Sequence, residues 1–292
     1  MRVSDSMMWS NMQRNISLRH ADFQTTQQRA LSGKKVSVPS DDPASFAQAR
    51  LEQSNIARSE NYERVIGLTR PVLAQTDDAL FHTQDILGRV RDIAIQGAND
   101  ALNDTDKASL IQELNGLRDQ LISIGNTSSG DRFIFAGFRD DQPPFDAAGV
   151  YSGDTDSATV EISRNVSIPF GVTGEALFGS AGNDVFTTIS NLQTALGSSN
   201  GLAASATVAE IDTRFEQVRA LHSQVGTHLN SLDISEAVVV RSKDTSVENR
   251  STLVDLDAAL AYTDLARAQT ALAAAIQIAA QLPPPGLATR GG

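Results

Sequence analysis

Cysteine is absent from the 292 residues. That excludes disulfides, thiolate zinc sites and cysteine nucleophiles. Aromatic residues make up only 5% of the chain, with a single tryptophan. The apolar content of 40% therefore falls mainly on Ala, Leu, Ile and Val, which favours helix-rich packing over an all-β sandwich. No run reaches the roughly 18 apolar residues of a membrane span. The nearest, Ala271 to Ala280, is alanine-rich and interrupted by Gln277. The N-terminus, Met1-Arg2-Val3-Ser4-Asp5-Ser6-Met7-Met8, lacks the apolar core of about 7–15 residues that a secretory signal carries. The expectation is a protein that stays in the cytoplasm or leaves by a route reading no cleaved signal. Basic residues are also few. Lys and Arg number 24 against 35 Asp and Glu, a formal charge of −11. Nucleic acid is thereby disfavoured as a main partner, since phosphate neutralisation needs a basic surface, and so is an anionic lipid surface.

Catalytic patterns are equally thin. His20, His82, His222 and His228 form no metal-binding H-E-x-x-H; His222 sits on an apolar seam and reads as a hydrogen-bonded packing residue. Asp154-x-Asp156 opens like a calcium loop, but Ala158 occupies the fifth position and no glycine the sixth. The neighbouring pairs Asp41-Asp42, Asp77-Asp78 and Asp140-Asp141 suit capping and solvation better than acid–base work across a substrate. Gly197-Ser198-Ser199-Asn200-Gly201 matches G-x-S-x-G. A nucleophile elbow needs a strand before it, and here a helical pattern precedes, so the segment reads as a flexible loop. Lys34-Lys35 reads as a solvated basic pair. No cofactor or metal site is expected.

What the chain does have is helical periodicity at both ends. Trp9, Ile16, Phe23 and Ala30 recur every seven residues, with Met12 on the same stripe, a heptad-like seam. At the other end Ala261, Leu265, Ala268, Leu272, Ala275, Ala279 and Leu282 repeat the pattern, with Ile276 beside them. Pro283-Pro284-Pro285 stops it. Full burial of the large residues Trp9, Met12, Ile16 and Phe23 yields roughly 6–12 kcal/mol. Ordering about 30 residues costs roughly 1–2 kcal/mol each for the backbone alone, and isolated helices are marginal. Residues 1–32 are therefore expected to be disordered in the monomer and to fold against a partner.

Between the ends, Gly33 suits the residue just past a helix, where positive φ is cheap. Pro39-Ser40-Asp41-Asp42-Pro43 then restarts a helix, with Asp42 as N-cap and Pro43 at the first helical position. A long helical pattern runs from Ala44 to about Gln96. Leu73, Leu80, Leu87 and Ala94 form one heptad row and Val72, Ala79, Ile86 and Ile93 the next. Pro71 predicts a kink or break near Thr69-Arg70. Asn99 to Asp104 reads as a turn, with Asp104 or Thr105 capping a helix whose seam is Leu110, Leu114, Leu117, Leu121 and Ile124, ended by Gly125-Asn126. Arg132 to Phe135 reads as a short strand. From Asp140 to about Asp184, scattered glycines and the alternating Thr159-Val160-Glu161-Ile162-Ser163 predict a small β-rich insertion. Helix returns at Val185, Ile189, Leu192 and Leu196. Ile211, Phe215, Val218, His222, Val225, Leu229 and Leu232 form the strongest long-helix pattern.

Several of these stretches together resemble flagellin-like proteins, in the form found at the hook–filament junction of bacterial flagella. The stretches are Gly33-Lys34-Lys35-Val36 with Pro39-Ser40-Asp41-Asp42-Pro43-Ala44; Leu87-Gly88-Arg89-Val90-Arg91-Asp92-Ile93-Ala94; Arg132-Phe133-Ile134-Phe135-Ala136-Gly137 with Pro144-Phe145; and Asp255-Leu256-Asp257-Ala258-Ala259, Thr263-Asp264-Leu265 and Gln269-Thr270-Ala271-Leu272. True flagellins typically carry Ala-x-Asp-Asp-Ala-Ala-Gly in place of the first proline-flanked run. The proline-rich tail and Pro71 depart from the family pattern. The resemblance implies a mainly α fold with a small β insertion: a long antiparallel helical rod with paired N- and C-terminal helices. It implies a terminal coiled-coil domain of residues 1–43 and 247–292, a rod domain of 44–140 and 185–246, and an outer β domain of 141–184. The two terminal seams would be the assembly interface, with Gly33, Pro39, Asp41, Asp42 and Pro43 as the linker. It further implies unfolded export by the flagellar type III pathway and an extracellular location. The partners would be further copies of the chain in a ring, hook-associated protein 1, flagellin and an export chaperone at the C-terminal helix. A filament-forming flagellin and, more remotely, a secreted hydrolase with its site in the β insertion are the alternatives.

Overall fold

The computed structural model describes residues 5–98 and 102–281, and those residues divide into two compact units. One draws on residues 5–57 and 243–281, the other on residues 58–98 and 102–242. Leu282 and the proline run lie outside the described residues, as do Asn99 to Ala101 of the expected turn. Helix α2 (Pro43–Gly97) and helix α6 (Gly201–Val254) contribute to both units.

The larger unit holds the main apolar core. The heptad row Leu73, Leu80, Leu87 and Ala94 of α2 is fully buried, and Ala79, Ile86 and Ile93 of the neighbouring row are buried beside it. From α6 the residues Ile211, Val218, Val225 and Leu232, again seven apart, enter the same core. Helix α3 (Asp104–Gly125) adds Leu114 and Leu121, and α5 (Val185–Gly197) adds Ile189 and Leu192. Thr69, Thr76 and Thr83 are buried in α2. Each hydroxyl donates to the carbonyl four residues back, at 2.8 Å, so none of these three hydroxyls is stranded by burial.

Helix α2 runs through Pro71 as one continuous helix, without the break that the sequence offered as one outcome. Pro71 and Gly67 both lie on the exposed face. The Gly67 carbonyl, which proline deprives of its intrahelical donor, is therefore open to water. Ile66, Thr69 and Leu73 bury the other face on both sides of the proline and hold the helix together. A second difference is the cap of α3. Asn103, rather than Asp104 or Thr105, accepts from the Asp106 amide at 2.8 Å from an extended backbone.

The β structure is slight. Antiparallel pairs join β1 (Ser128–Ser129) to β2 (Arg132–Phe133), β3 (Thr159–Ser163) to β4 (Val166–Pro169), and β5 (Gly179–Ser180) to β6 (Asn183–Asp184). Strand β3 coincides with the alternating run read from the sequence. Strand β2 stops short of the expected Phe135 because the chain turns: Ala136 N–H donates to the Phe133 carbonyl, and Gly137 adopts φ +69°. A side chain at Gly137 would press into the Asp156 carbonyl at 2.7 Å. The short helix α4 (Gly174–Phe178) delivers Phe178 to Phe145, Tyr151 and Phe186, a cluster whose successive ring centroids lie 5.1–5.7 Å apart.

Candidate functional site

In the smaller unit, α1 (Asp5–Ser32) packs along α7 (Ala258–Ala280). The C-terminus of α1 meets the N-terminus of α7, so the two run antiparallel. On α1 the residues Trp9, Met12, Ile16, Phe23 and Ala30 are half-buried while most of the helix is exposed, so the heptad seam read from the sequence is the face with least exposure. On α7 Ala261 is buried, and Leu265, Ala268, Ala271, Leu272, Ala275 and Ala279 are half-buried. The small alanines let the helix axes approach closely. Ile276 stands off that stripe at 52% exposed, and Leu282 is outside the described residues.

The two linkers meet at one end of this pair. Gly33 closes α1 at φ +67°, its N–H on the Arg29 carbonyl at 2.9 Å, a conformation that favours glycine. Leu256 N–H then donates to the Gly33 carbonyl at 2.9 Å, and the backbones of Lys34 and Asp255 form an isolated antiparallel β-bridge. Lys35 N–H reaches the Val254 carbonyl at 2.7 Å, and its Nζ the Thr252 carbonyl at 2.5 Å. An ammonium at the last carbonyls of α6 complements the negative end of the helix dipole. Lys35 is therefore a cap rather than the solvated basic residue expected from the sequence, because the carbonyls it meets are 217 positions away.

Asp41 organises the second half of the linker. Its carboxylate accepts from the Ser37 amide at 2.9 Å, the Val38 amide at 3.1 Å, the Ser37 hydroxyl at 3.3 Å and Arg29 Nη2 at 3.2 Å. The Ser37 and Val38 amides, with Arg29 behind them, hold its pKa down to about 2. Asp42 caps α2, accepting from the Ser45 hydroxyl at 2.6 Å and the Ala44 and Ser45 amides. These bonds, the Ser45 hydroxyl first, lower its pKa too. Pro43 takes the first helical position, where its missing N–H removes no bond. Pro39 is exposed at the turn between Val38 and Asp41. Asp257, not singled out from the sequence, caps α7 through the Ala259 and Leu260 amides. The local signal for Asp257 was legible as an acid before an alanine-rich run. That for Arg29 was only its place in the last turn of α1.

Two further groups follow the sequence readings. His222 Nε2 lies 3.1 Å from Asp77 and Nδ1 2.8 Å from Gln84, a hydrogen-bonded packing histidine. The G-x-S-x-G segment is the loop between α5 and α6, with helix on both sides. Within the larger unit, Arg89 pairs with Glu113 of α3 and Arg91 with Asp212 of α6, so the Leu87–Ala94 motif ties α2 to both neighbours. Among the described residues no cluster of metal-binding side chains occurs, and no helix is long and apolar enough to cross a membrane.

Antiparallel terminal helices clasped at their linkers, with long core helices and small strand pairs, make a flagellin-like fold. A family model described as the bacterial flagellin N-terminal helical region matches residues 3–139. The chain is similar to flagellar hook-associated protein 3 of Escherichia coli (strain K12), 28% identical over 94% of both chains. The protein of the same name from Salmonella typhimurium (strain LT2) is 33% identical over 62% of this chain and 57% of its own length. The solved flagellar hook associated protein-3 of Legionella pneumophila shares the fold at TM-score 0.63 and 16% identity, covering 70% of this chain and 98% of that one.

Proposed function

We propose that the protein is a structural adaptor of the bacterial flagellum. It forms the hook–filament junction ring between hook-associated protein 1 and flagellin, and it is not an enzyme. The observation that carries this reading is the end-to-end similarity to flagellar hook-associated protein 3, which spans 94% of both chains and so includes the two terminal helices. In this reading those helices are the assembly interface. Beyond the half-buried seams they expose Leu18, Tyr262, Ile276 and Ile278, more apolar surface than a pair of lone helices needs. A closed ring would cover such faces in every copy. The terminal pair is marginal in the isolated chain: among its described residues α1 has none fully buried, and α7 has only Ala261. The chain would then travel unfolded through the flagellar type III pathway to an extracellular position, with α7 as the segment open to an export chaperone.

The test is a strain deleted for the gene. It should build hooks, lack filaments and lose flagellin to the medium, and the intact gene should restore motility. Purified protein that grows filaments without limit on seeds would instead mark it as a flagellin.

A further inference from the structure

The α7 face that meets α1 repeats itself. Ala261, Ala268 and Ala275 are seven apart, as are Leu265 and Leu272. Sliding α7 along α1 by seven residues therefore lays alanine where Ala261 and Ala268 were and leucine where Leu265 was, with Ala279 taking the place of Leu272. Such a slip moves the helix about 10 Å, at 1.5 Å per residue, and costs the contacts of one lost repeat and one leucine exchanged for alanine on the seam. A heptad seam by itself tolerates this ambiguity, and helix pairs with one register generally need a device outside the seam.

The linkers supply contacts that no shifted register can keep. Leu256 N–H on the Gly33 carbonyl and the Lys34–Asp255 β-bridge fix the residues just after α1 against those just before α7. Lys35 fastens the same strand to the end of α6 through both its amide and its Nζ. Asp41 binds the Ser37 and Val38 amides and reaches back to Arg29 within α1, so the slack of the linker is folded up rather than free to lengthen. Arg29 Nε is buried without a hydrogen-bond partner among the described residues, which leaves Asp41 as the anion its guanidinium faces. A seven-residue slip would have to break the crossing contacts of Gly33, Lys34 and Lys35 at once, and the Asp41 bonds, which lie within residues 29–41, deny the linker the length to follow it. We propose that this clasp, with Asp41 at its centre, selects the register in which α1 pairs with α7. Asp41 and Lys35 are positioning residues: they act on the pairing of two helices whose seams they do not touch.

The chain has no cysteine, so two spin labels can be placed without background. Gln24→Cys and Gln269→Cys lie on exposed positions of α1 and α7. Pulsed dipolar spectroscopy on the full-length soluble protein then reads the distance between them. The wild-type background should give one narrow component, standing on whatever broad signal unzipped chains contribute. Adding Asp41→Ala and Lys35→Ala should produce a second narrow component displaced along the helix axis by about 10 Å, one heptad. Three results would overturn the proposal. One is an unchanged narrow component in the double variant. Another is a narrow component that vanishes with no shifted one, since the clasp would then stabilise the pair without choosing its register. The third is no narrow component in the wild-type background. A single-register protein that failed to restore motility to the deletion strain would count against the junction reading and leave this one standing.

Discussion

Arg29 in the last turn of α1 and Asp41 in the linker, twelve residues on, face each other with Nη2 3.2 Å from Oδ1. The helix is thereby tied to the strand that leaves it, and the tie has a definite pH range. An unperturbed aspartate titrates near 3.9, whereas Asp41 is held at about 2. A lowered folded pKa means that the contribution of the carboxylate is complete above the unfolded value and is lost as pH falls through the folded one. Clasp contacts should thus be constant from neutrality to about pH 4 and fade toward pH 2. An NMR titration of Asp41 checks this; a midpoint near 4 would mean the four hydrogen bonds are not formed in solution.

Leu114 lies fully buried in the core of the larger unit, while Leu229 is only partly buried against it. Leu114→Ala should destabilise that unit by about 2–5 kcal/mol, measured by urea unfolding, and Leu229→Ala by less. A loss below about 0.5 kcal/mol at Leu114 is the range of an ordinary surface change and would contradict the packing described.

Gly137→Ala should lower stability by more than about 1 kcal/mol. The residue would have to hold φ +69° with its new methyl group 2.7 Å from the Asp156 carbonyl, and positive φ is itself costly for alanine. Thermal melting of the variant beside wild type decides it, and an unchanged melting temperature would refute the close approach.

Ile16→Asp and Leu272→Asp place a carboxylate on the half-buried seams of α1 and α7. Monomer melting is set by the core of the other unit and should hardly move. Incorporation at the junction should be lost, because desolvating or protonating the carboxylate costs several kcal/mol in each copy. The monomer melting temperature and the motility of a complemented deletion strain are the two readouts. A drop of several degrees in either monomer would place the terminal seams in its core.

Backbone amides of α1 and α7 should exchange with solvent faster than those of Leu80 or Val218. The terminal pair buries almost no residue completely, whereas those two residues are fully enclosed. Equal protection at both places would show that the terminal helices are as stable alone as the core.

Much of this architecture could be read before any coordinates, because periodicity records which face of a helix is buried. The rows Leu73–Ala94 and Ile211–Leu232, the seam Trp9–Ala30, the glycine ending α1, the Asp42 cap and the strand Thr159–Ser163 are local patterns, written in residues a few positions apart. The break expected at Pro71 was a local rule overridden from outside: burial of Ile66, Thr69 and Leu73 outweighed one missing hydrogen bond. Strand β2 and the cap of α3 came out differently because near-equivalent residues compete for a turn or a cap, and geometry chooses between them.

The clasp was not legible at all. Lys35 and Thr252, Gly33 and Leu256, Arg29 and Asp41 carry no shared motif. A hydrogen bond between backbone groups leaves no trace in residue identity, and a charge reads as solvated until its partner is known. The sequence by itself therefore determined which helices exist and which faces they bury. Only the tertiary structure decided how the two ends of the chain are fastened together, since that depends on groups brought close by folding across more than two hundred residues.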